Sequence, residues 1–303
     1  MRWFETPNIN FLRNRKIAYV VSGILFLASL GLVVTKGLQY GIDFKGGKEM
    51  VIQFENPVDV TEIRSALTGP LGSTPEVKLF GSDREILIRT DNEGSMDEVQ
   101  STIGSTLASF LADNPSDIIK TDSVGPRFAE DLKSSAAQSV IYAIVIIFIY
   151  ILIRFRNWTF SAGAVAALIH DVVITLGIFT LLSDVVNFSL LIDQNIIAAF
   201  LTIVGYSLND TVVVYDRIRE NSMVHKGMEL LPMVNKSLND TLSRTIITSL
   251  TTLFVVLVLF IFGGEVLKGL SFALIIGVVL GTYSSLFVAS PLVLELDRRS
   301  KKS

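Results

Sequence analysis

No cysteine occurs anywhere in the 303-residue chain, which excludes disulfides, thiol catalysis and cysteine-ligated metals. There are two histidines, His170 and His225, too few for a histidine-rich metal site. Charged residues are also scarce, at 18% against about a quarter in soluble domains. Half the residues are apolar and the mean hydropathy is +0.53, so the composition is that of a membrane protein. A net charge of −3 gives no basic footprint for nucleic acid. In a membrane chain the placement of charge says more than its sum.

Catalytic signatures are missing too. The segment Gly41-Ile42-Asp43-Phe44-Lys45-Gly46-Gly47-Lys48 is glycine-rich. It fails the P-loop pattern, because Gly47 rather than Lys follows Gly46 and no Ser or Thr follows Lys48. Its glycines read as a tight turn or a close backbone approach. No Ser/His/Asp or paired-carboxylate arrangement sits in a plausible pocket, so no enzyme activity, cofactor or metal is expected.

What the chain has is apolar runs. Six are long enough to span a bilayer: residues 17–35, 136–153, 158–182, 196–214, 246–262 and 270–290. The first follows Arg13, Arg15 and Lys16 as a secretory signal would. Its apolar stretch exceeds a typical signal core of about 7–15 residues, and it reads as an uncleaved span. An even number of spans puts both termini on one side. Arg2, Arg13, Arg15 and Lys16 precede span one, and Arg154 and Arg156 follow span two. Arg217, Arg219, Lys226 and Lys236 separate spans four and five, and Arg298, Arg299, Lys301 and Lys302 close the chain. Residues 183–195 have no Lys or Arg and 263–269 only Lys268. The asymmetry makes the termini (1–16 and 291–303) cytoplasmic, with Pro291 expected to end the last span. Residues 36–135 are then outside, since long loops translocate largely regardless of charge.

That outside segment is enough for one small domain. Residues 48–55 alternate, with Met50, Ile52 and Phe54 on one face, and read as a strand. Val60, Ile63 and Leu67 fall at helical spacing. Residues 76–80 and 84–90 read as strands around a Gly81-Ser82-Asp83 turn. Residues 96–112 read as a helix with Val99, Ile103, Leu107 and Phe110 inward, and 117–123 as a last strand. Asn56-Pro57 and Gly69-Pro70 read as turns, and 127–135 as a helical lead-in to span two. The order βαββαβ is the split arrangement of ferredoxin-like domains. The fold class is a six-helix transmembrane bundle with one α+β domain between its first and second helices.

Ionisable groups inside a span are costly and mark functional sites. His170 and Asp171 lie mid-way along span three, Asp210 near the inner end of span four, and Arg244 where span five begins. Asp210 lies about 9 Å deeper than Asp216 on a continuous helix. Thr241, Thr245, Thr248 and Thr252 recur at three- and four-residue steps, a polar stripe with Arg244 beside it. If it faces span four, Asp210 and Arg244 pair inside the bundle. A carboxylate whose arginine partner moves away and returns changes its proton affinity, a physical core for proton coupling. A static lock between helices, or an Arg244 that snorkels to the surface, is the equally weighted alternative. Neighbouring positions such as His170 and Asp171 do not share a helix face. Asp193, at the outer end of span four, reads as solvated. Gly277 and Gly281, with Ser284, Ser285 and Ala289 following, read as a helix-packing face.

Several stretches together resemble the SecF family over essentially the whole chain. They are Asp43-Phe44-Lys45-Gly46-Gly47, Val124-Gly125-Pro126, His170-Asp171, and the run from Gly205-Tyr206-Ser207-Leu208-Asn209-Asp210-Thr211 to Asn221. Arg244-Thr245, Thr248-Ser249, Thr251-Thr252 and Gly281-Thr282-Tyr283-Ser284-Ser285 complete the set. Tyr215 departs mildly, standing where the family often has Phe. The resemblance implies a protein-export subunit of the bacterial inner membrane. It would work with SecD and the SecYEG channel, with YajC and YidC as further associates, and draw preproteins outward on the proton motive force. It also implies kinship with the proton-driven resistance-nodulation-division (RND) exporters. The family's proton-pathway acid and arginine map onto Asp210 and Arg244, with Asn209, His170 and Asp171 as companions. Asp43, Gly46, Gly47, Gly205, Gly277 and Gly281 are the structural motif positions. An RND-type exporter of small molecules or lipids is the alternative, disfavoured by a single modest outer domain. A static translocon scaffold fits all but the intramembrane charges.

Overall fold

The computed structural model describes residues 8–300. Arg2, Lys301 and Lys302, counted above among the basic residues, lie outside that range. Helix α1 (Arg15–Lys36) leads into a short helix α2 (Ile42–Lys45), strand β1 (Gly47–Phe54) and helix α3 (Val60–Leu71). Strands β2 (Glu76–Phe80) and β3 (Ser82–Thr90), helix α4 (Met96–Phe110) and strand β4 (Ser116–Val124) complete a small α+β domain.

The sheet order is β2-β3-β1-β4, all neighbours antiparallel, as the split βαββαβ pattern requires. Met50 faces Ile88 and Ile52 faces Ile86 across the β1–β3 pair. These side chains, with Phe54 and Val77, form the core against Ile63, Leu67, Val99, Ile103 and Leu107 from the two helices. Strand alternation and helical spacing thus bury one face each. Two details differ from expectation. Phe110, at the frayed end of α4, is 46% exposed rather than inward. Gly69 and Pro70 lie in the last turn of α3, which ends instead at Gly72 in the left-handed conformation. Helix α4 opens with a capping box, Ser95 and Glu98 each accepting from the other's backbone N–H.

The membrane part continues with α5 (Pro126–Phe155), α6 (Trp158–Leu182), α7 (Gln194–Val224) and α8 (Leu230–Phe262). The last span is α9 (Glu265–Ser284), a π-helical turn (Ser285–Ala289) and α10 (Ser290–Ser300). Among the described residues six helical segments are long and apolar enough to cross a membrane. Helix α5 starts at Pro126, whose missing N–H is harmless at a first helical position. Helices α7 and α8 run well beyond their apolar stretches and are pinned together where Asn221 donates to Ser237 and Asp240.

Pro291 does not end the last span; it sits inside α10. A proline removes one helical hydrogen bond and crowds the carbonyl four residues back. Here the widened π-turn absorbs that mismatch, and the Ser290 hydroxyl donates to the Ser285 carbonyl five residues back at 2.8 Å. Polar ties hold the helix ends. Lys36 donates to the Thr180 carbonyl and pairs with Asp184 at the C-terminus of α6, the end that favours a cation. Arg154 pairs with Asp216, and Arg15 with Glu295.

Candidate intramembrane carboxylate site

Helix α6 carries small residues (Ser161, Gly163, Ala164, Ala167) along its buried face, which lets neighbouring helices approach closely. Its polar pair is buried there: Asp171 is 1% and His170 6% exposed. Although consecutive, the two side chains meet, with His170 Nδ1 2.9 Å from Asp171 Oδ1. Adjacent positions do not share a helix face, yet these two side chains are within hydrogen-bond distance of each other. Asp171 Oδ2 accepts from Ser207 Oγ of α7 at 2.8 Å and from Ser284 Oγ of α9 at 2.7 Å. His170 Nε2 is buried without a partner, and its ring stacks on Tyr283, whose hydroxyl meets Ser22 of α1.

Asp210 of α7 is the second buried carboxylate. Its Oδ1 accepts from Thr245 Oγ1 of α8 and its Oδ2 from Ser285 Oγ, both at 2.7 Å. The direct Asp210–Arg244 pair anticipated from sequence is absent in this conformation. Arg244 lies on the exposed side of α8, while the two Asp210 oxygens accept from the Thr245 and Ser285 hydroxyls. The threonine stripe splits in the same way: Thr241, Thr245 and Ser249 face inward, whereas Thr248 and Thr251 share the exposed side with Arg244. Asn209 and Gly205 are exposed as well, so Asn209 does not reach the buried cluster. Ser207, Ser284 and Ser285 were not read from sequence as ligands of the carboxylates. The one signal for them was three hydroxyls set within apolar spans.

The small-residue face does what its spacing predicts. A side chain at Gly277 would run into Ile203, and one at Gly281 would reach 2.9 Å from Ser207 Cβ. These glycines bring α9 onto the face of α7 that carries Ser207. A Gly205 side chain would meet nothing, so that glycine is not a contact point here.

A second construction ties the α+β domain to α7. Asp43 Oδ2 accepts from Gln194 N, the first N–H of α7, at 2.9 Å, and Asp193 caps the helix by accepting from Ile196 N at 2.8 Å. Asp193 is therefore a cap rather than a freely solvated group. Burial pushes its carboxyl above its ordinary value; the Ile196 N–H pulls the other way, and Asp43 and Glu49 add to the rise. Gly41 N donates to Ile192 O, and Ile192 N to Gln39 O. Gly46 and Gly47 have φ of 76° and 116°, which favours glycine. A side chain at Gly46 would come within 3.1 Å of the Pro126 α-carbon, and one at Gly47 within 2.9 Å of the Thr90 carbonyl oxygen. The Asp43–Gly47 segment is thus a joint between β1, the start of α5 and the N-terminus of the Asp210-bearing helix. A cavity of about 260 Å³ opens beside it, lined by Asp43, Glu49, Arg89, Lys120, Asp193 and Glu265 among others.

Comparison with known proteins places this arrangement. Residues 104–299 match the family model for the C-terminal part of the protein-export membrane proteins SecD/SecF, and residues 31–58 match the SecD/SecF GG motif. The chain is similar to the protein translocase subunit SecF of Rhodothermus marinus, 58% identical over 99% of this chain and 97% of the relative. It is also similar to SecF of Vibrio alginolyticus, 40% identical over 95% of this chain and 90% of the relative. The crystal structure of SecDF from Thermus thermophilus, titled a translocon-associated membrane protein, superposes with a TM-score of 0.86 at 35% identity. That match covers 98% of this chain but 40% of the longer SecDF chain. A super-membrane-facing form of SecDF gives 0.72 at 33% identity. With a family match over most of its length and near full-length translocase relatives, the chain belongs to the SecD/SecF family of protein-export membrane proteins, among its SecF translocase subunits.

Proposed function

We propose that this subunit, assembled with a SecD partner, uses the proton motive force to promote preprotein translocation through SecYEG across the bacterial inner membrane, with YajC and YidC as further associates. The observation that carries it is the buried Asp210, held by the Thr245 and Ser285 hydroxyls, with an intramembrane Arg244 left exposed on α8. A carboxylate held by rotatable hydroxyls and approached by a mobile cation takes up a proton when the cation withdraws and releases it on return. An arginine on an outer helix face at membrane depth is costly without cover. Asn209, Arg244, Thr248 and Thr251 therefore form a face for the SecD half of the bundle. The Lys/Arg asymmetry supports cytoplasmic termini and an outer domain on the far side of the membrane. The Asp43 joint to α7 supports transmission of movement from the bundle to that domain.

The test is preprotein translocation into inverted vesicles with ATP present and the gradient intact or collapsed. Asp210→Asn keeps the shape and one acceptor oxygen, turns the other position into a donor, and removes the titratable charge. It is expected to stay in the membrane, to lose the gradient-dependent part of translocation, and to show no further loss when the gradient is collapsed, since both act on one step. A gradient advantage equal to wild type in Asp210→Asn rejects the proposal.

A further inference from the structure

Ser284 ends α9 and Ser285 opens the π-turn; though consecutive, they serve different carboxylates. Ser284 Oγ donates to Asp171 Oδ2 and Ser285 Oγ to Asp210 Oδ2, each at 2.7 Å. Neighbouring positions on a helix diverge by about 100°, so the pair straddles the gap between the two acids. Each serine has one hydroxyl proton but two acceptors in reach. Ser285 Oγ is also 3.0 Å from Thr282 O, and Ser284 Oγ is 3.3 Å from Gly281 O. The alternative acceptor is in both cases a carbonyl of the same helix, one turn back. The π-turn begins at Ser285, and such turns are frequent at functional sites.

We propose that the Ser284–Ser285 pair is a positioning element that links Asp171 and Asp210, so that the protonation of one acid is felt at the other. With Asp210 charged, Ser285 donates to it. When Asp210 takes a proton on Oδ2, that O–H donates to Ser285 Oγ, and the serine proton turns to Thr282 O. No covalent bond changes other than the one the incoming proton makes to Oδ2. Ser284 follows the same rule at Asp171. Because both hydroxyls sit on one stretch of backbone, a shift that suits one carboxylate alters the geometry at the other. The charged and titratable groups nearby are Arg244 of α8 toward Asp210, and His170 of α6 with Tyr283 of α9 toward Asp171. Helix α7 supplies the Ser207 hydroxyl to Asp171. This inference rests on the reading of Asp210 as the proton acceptor and adds a second acid and the device that joins them.

The experiment is a pH titration of the full-length chain with its SecD partner in liposomes, followed by infrared difference spectroscopy. The carbonyl bands of the protonated acids are assigned by Asp171→Asn and Asp210→Asn. Ser285→Ala is expected to move the Asp210 midpoint to higher pH, because a donor to the charged form is lost, and to displace the Asp171 midpoint as well. Ser284→Ala gives the converse. Ser285→Thr keeps a hydroxyl and restores both midpoints; Ser285→Cys keeps the volume but donates weakly and behaves like Ala, which separates packing from hydrogen bonding. If Ser285→Ala leaves the Asp171 midpoint at its wild-type value, the serines only pack and the linkage is refuted. A wild-type Asp210 that shows no titrating band overturns the underlying reading instead, a result distinct from the first.

Discussion

Asp210 and Arg244 illustrate how a residue's chemistry is decided by its neighbours. Each carboxylate oxygen accepts one hydroxyl, from Thr245 and from Ser285, while Arg244 lies on the exposed side of α8. The proposed cycle requires the guanidinium to approach and withdraw with defined geometry. Lysine offers a compact point charge on a flexible stem instead of a planar fork. Arg244→Lys is therefore expected to lower gradient-driven translocation at least several-fold while leaving the amount of subunit in the membrane unchanged. Translocation in that variant at the wild-type level would mean that charge alone suffices. His170 and Asp171 show the other side of the same point. They were singled out as intramembrane polar residues, but only the fold shows that Asp171 gathers donors from α7 and α9.

At the scale of elements, the last span organises the site. Gly277 and Gly281 seat α9 on α7, and Ser284 and Ser285 stand at the junction where α9 gives way to the π-turn. A larger side chain at position 281 meets Ser207, itself a donor to Asp171. Overpacking a close contact costs about 1–3 kcal/mol. Gly281→Leu is expected to lower the yield of intact complex from detergent extracts, with export falling in parallel. A normal yield would show that α9 and α7 tolerate separation. The glycine spacing was legible as a packing face because small residues four apart line one side of a helix. Its partner helix was not, because periodicity reports which side is covered and never by what. By residue type Pro291 predicts a stop, since proline removes a helical hydrogen bond. The π-turn and the Ser290 hydroxyl, which let the helix continue, are tertiary and local adjustments that the residue type does not announce.

For the whole molecule, the Lys/Arg asymmetry predicts the orientation, and the absence of cysteine makes it easy to check. Single cysteines at Ser82, in the outer domain, and at Ser222, near the end of α7, are both at exposed positions. With an impermeant thiol reagent on intact spheroplasts, Ser82→Cys is expected to be labelled and Ser222→Cys only after lysis. Labelling of Ser222→Cys in intact cells would reverse the topology. Run length and charge placement identified the six spans, and the alternation of apolar residues identified the small α+β domain, because both patterns record which surface avoids water. The Asp43-to-Gly47 segment stood out by its glycines and its family resemblance. That it clasps the first N–H of α7, 151 positions along the chain, required the fold. So did the exposure of Arg244 and the serine bridge between two acids. Those features depend on which helices become neighbours, and a hydroxyl acquires its acceptor only when packing brings a carboxylate from another helix within reach.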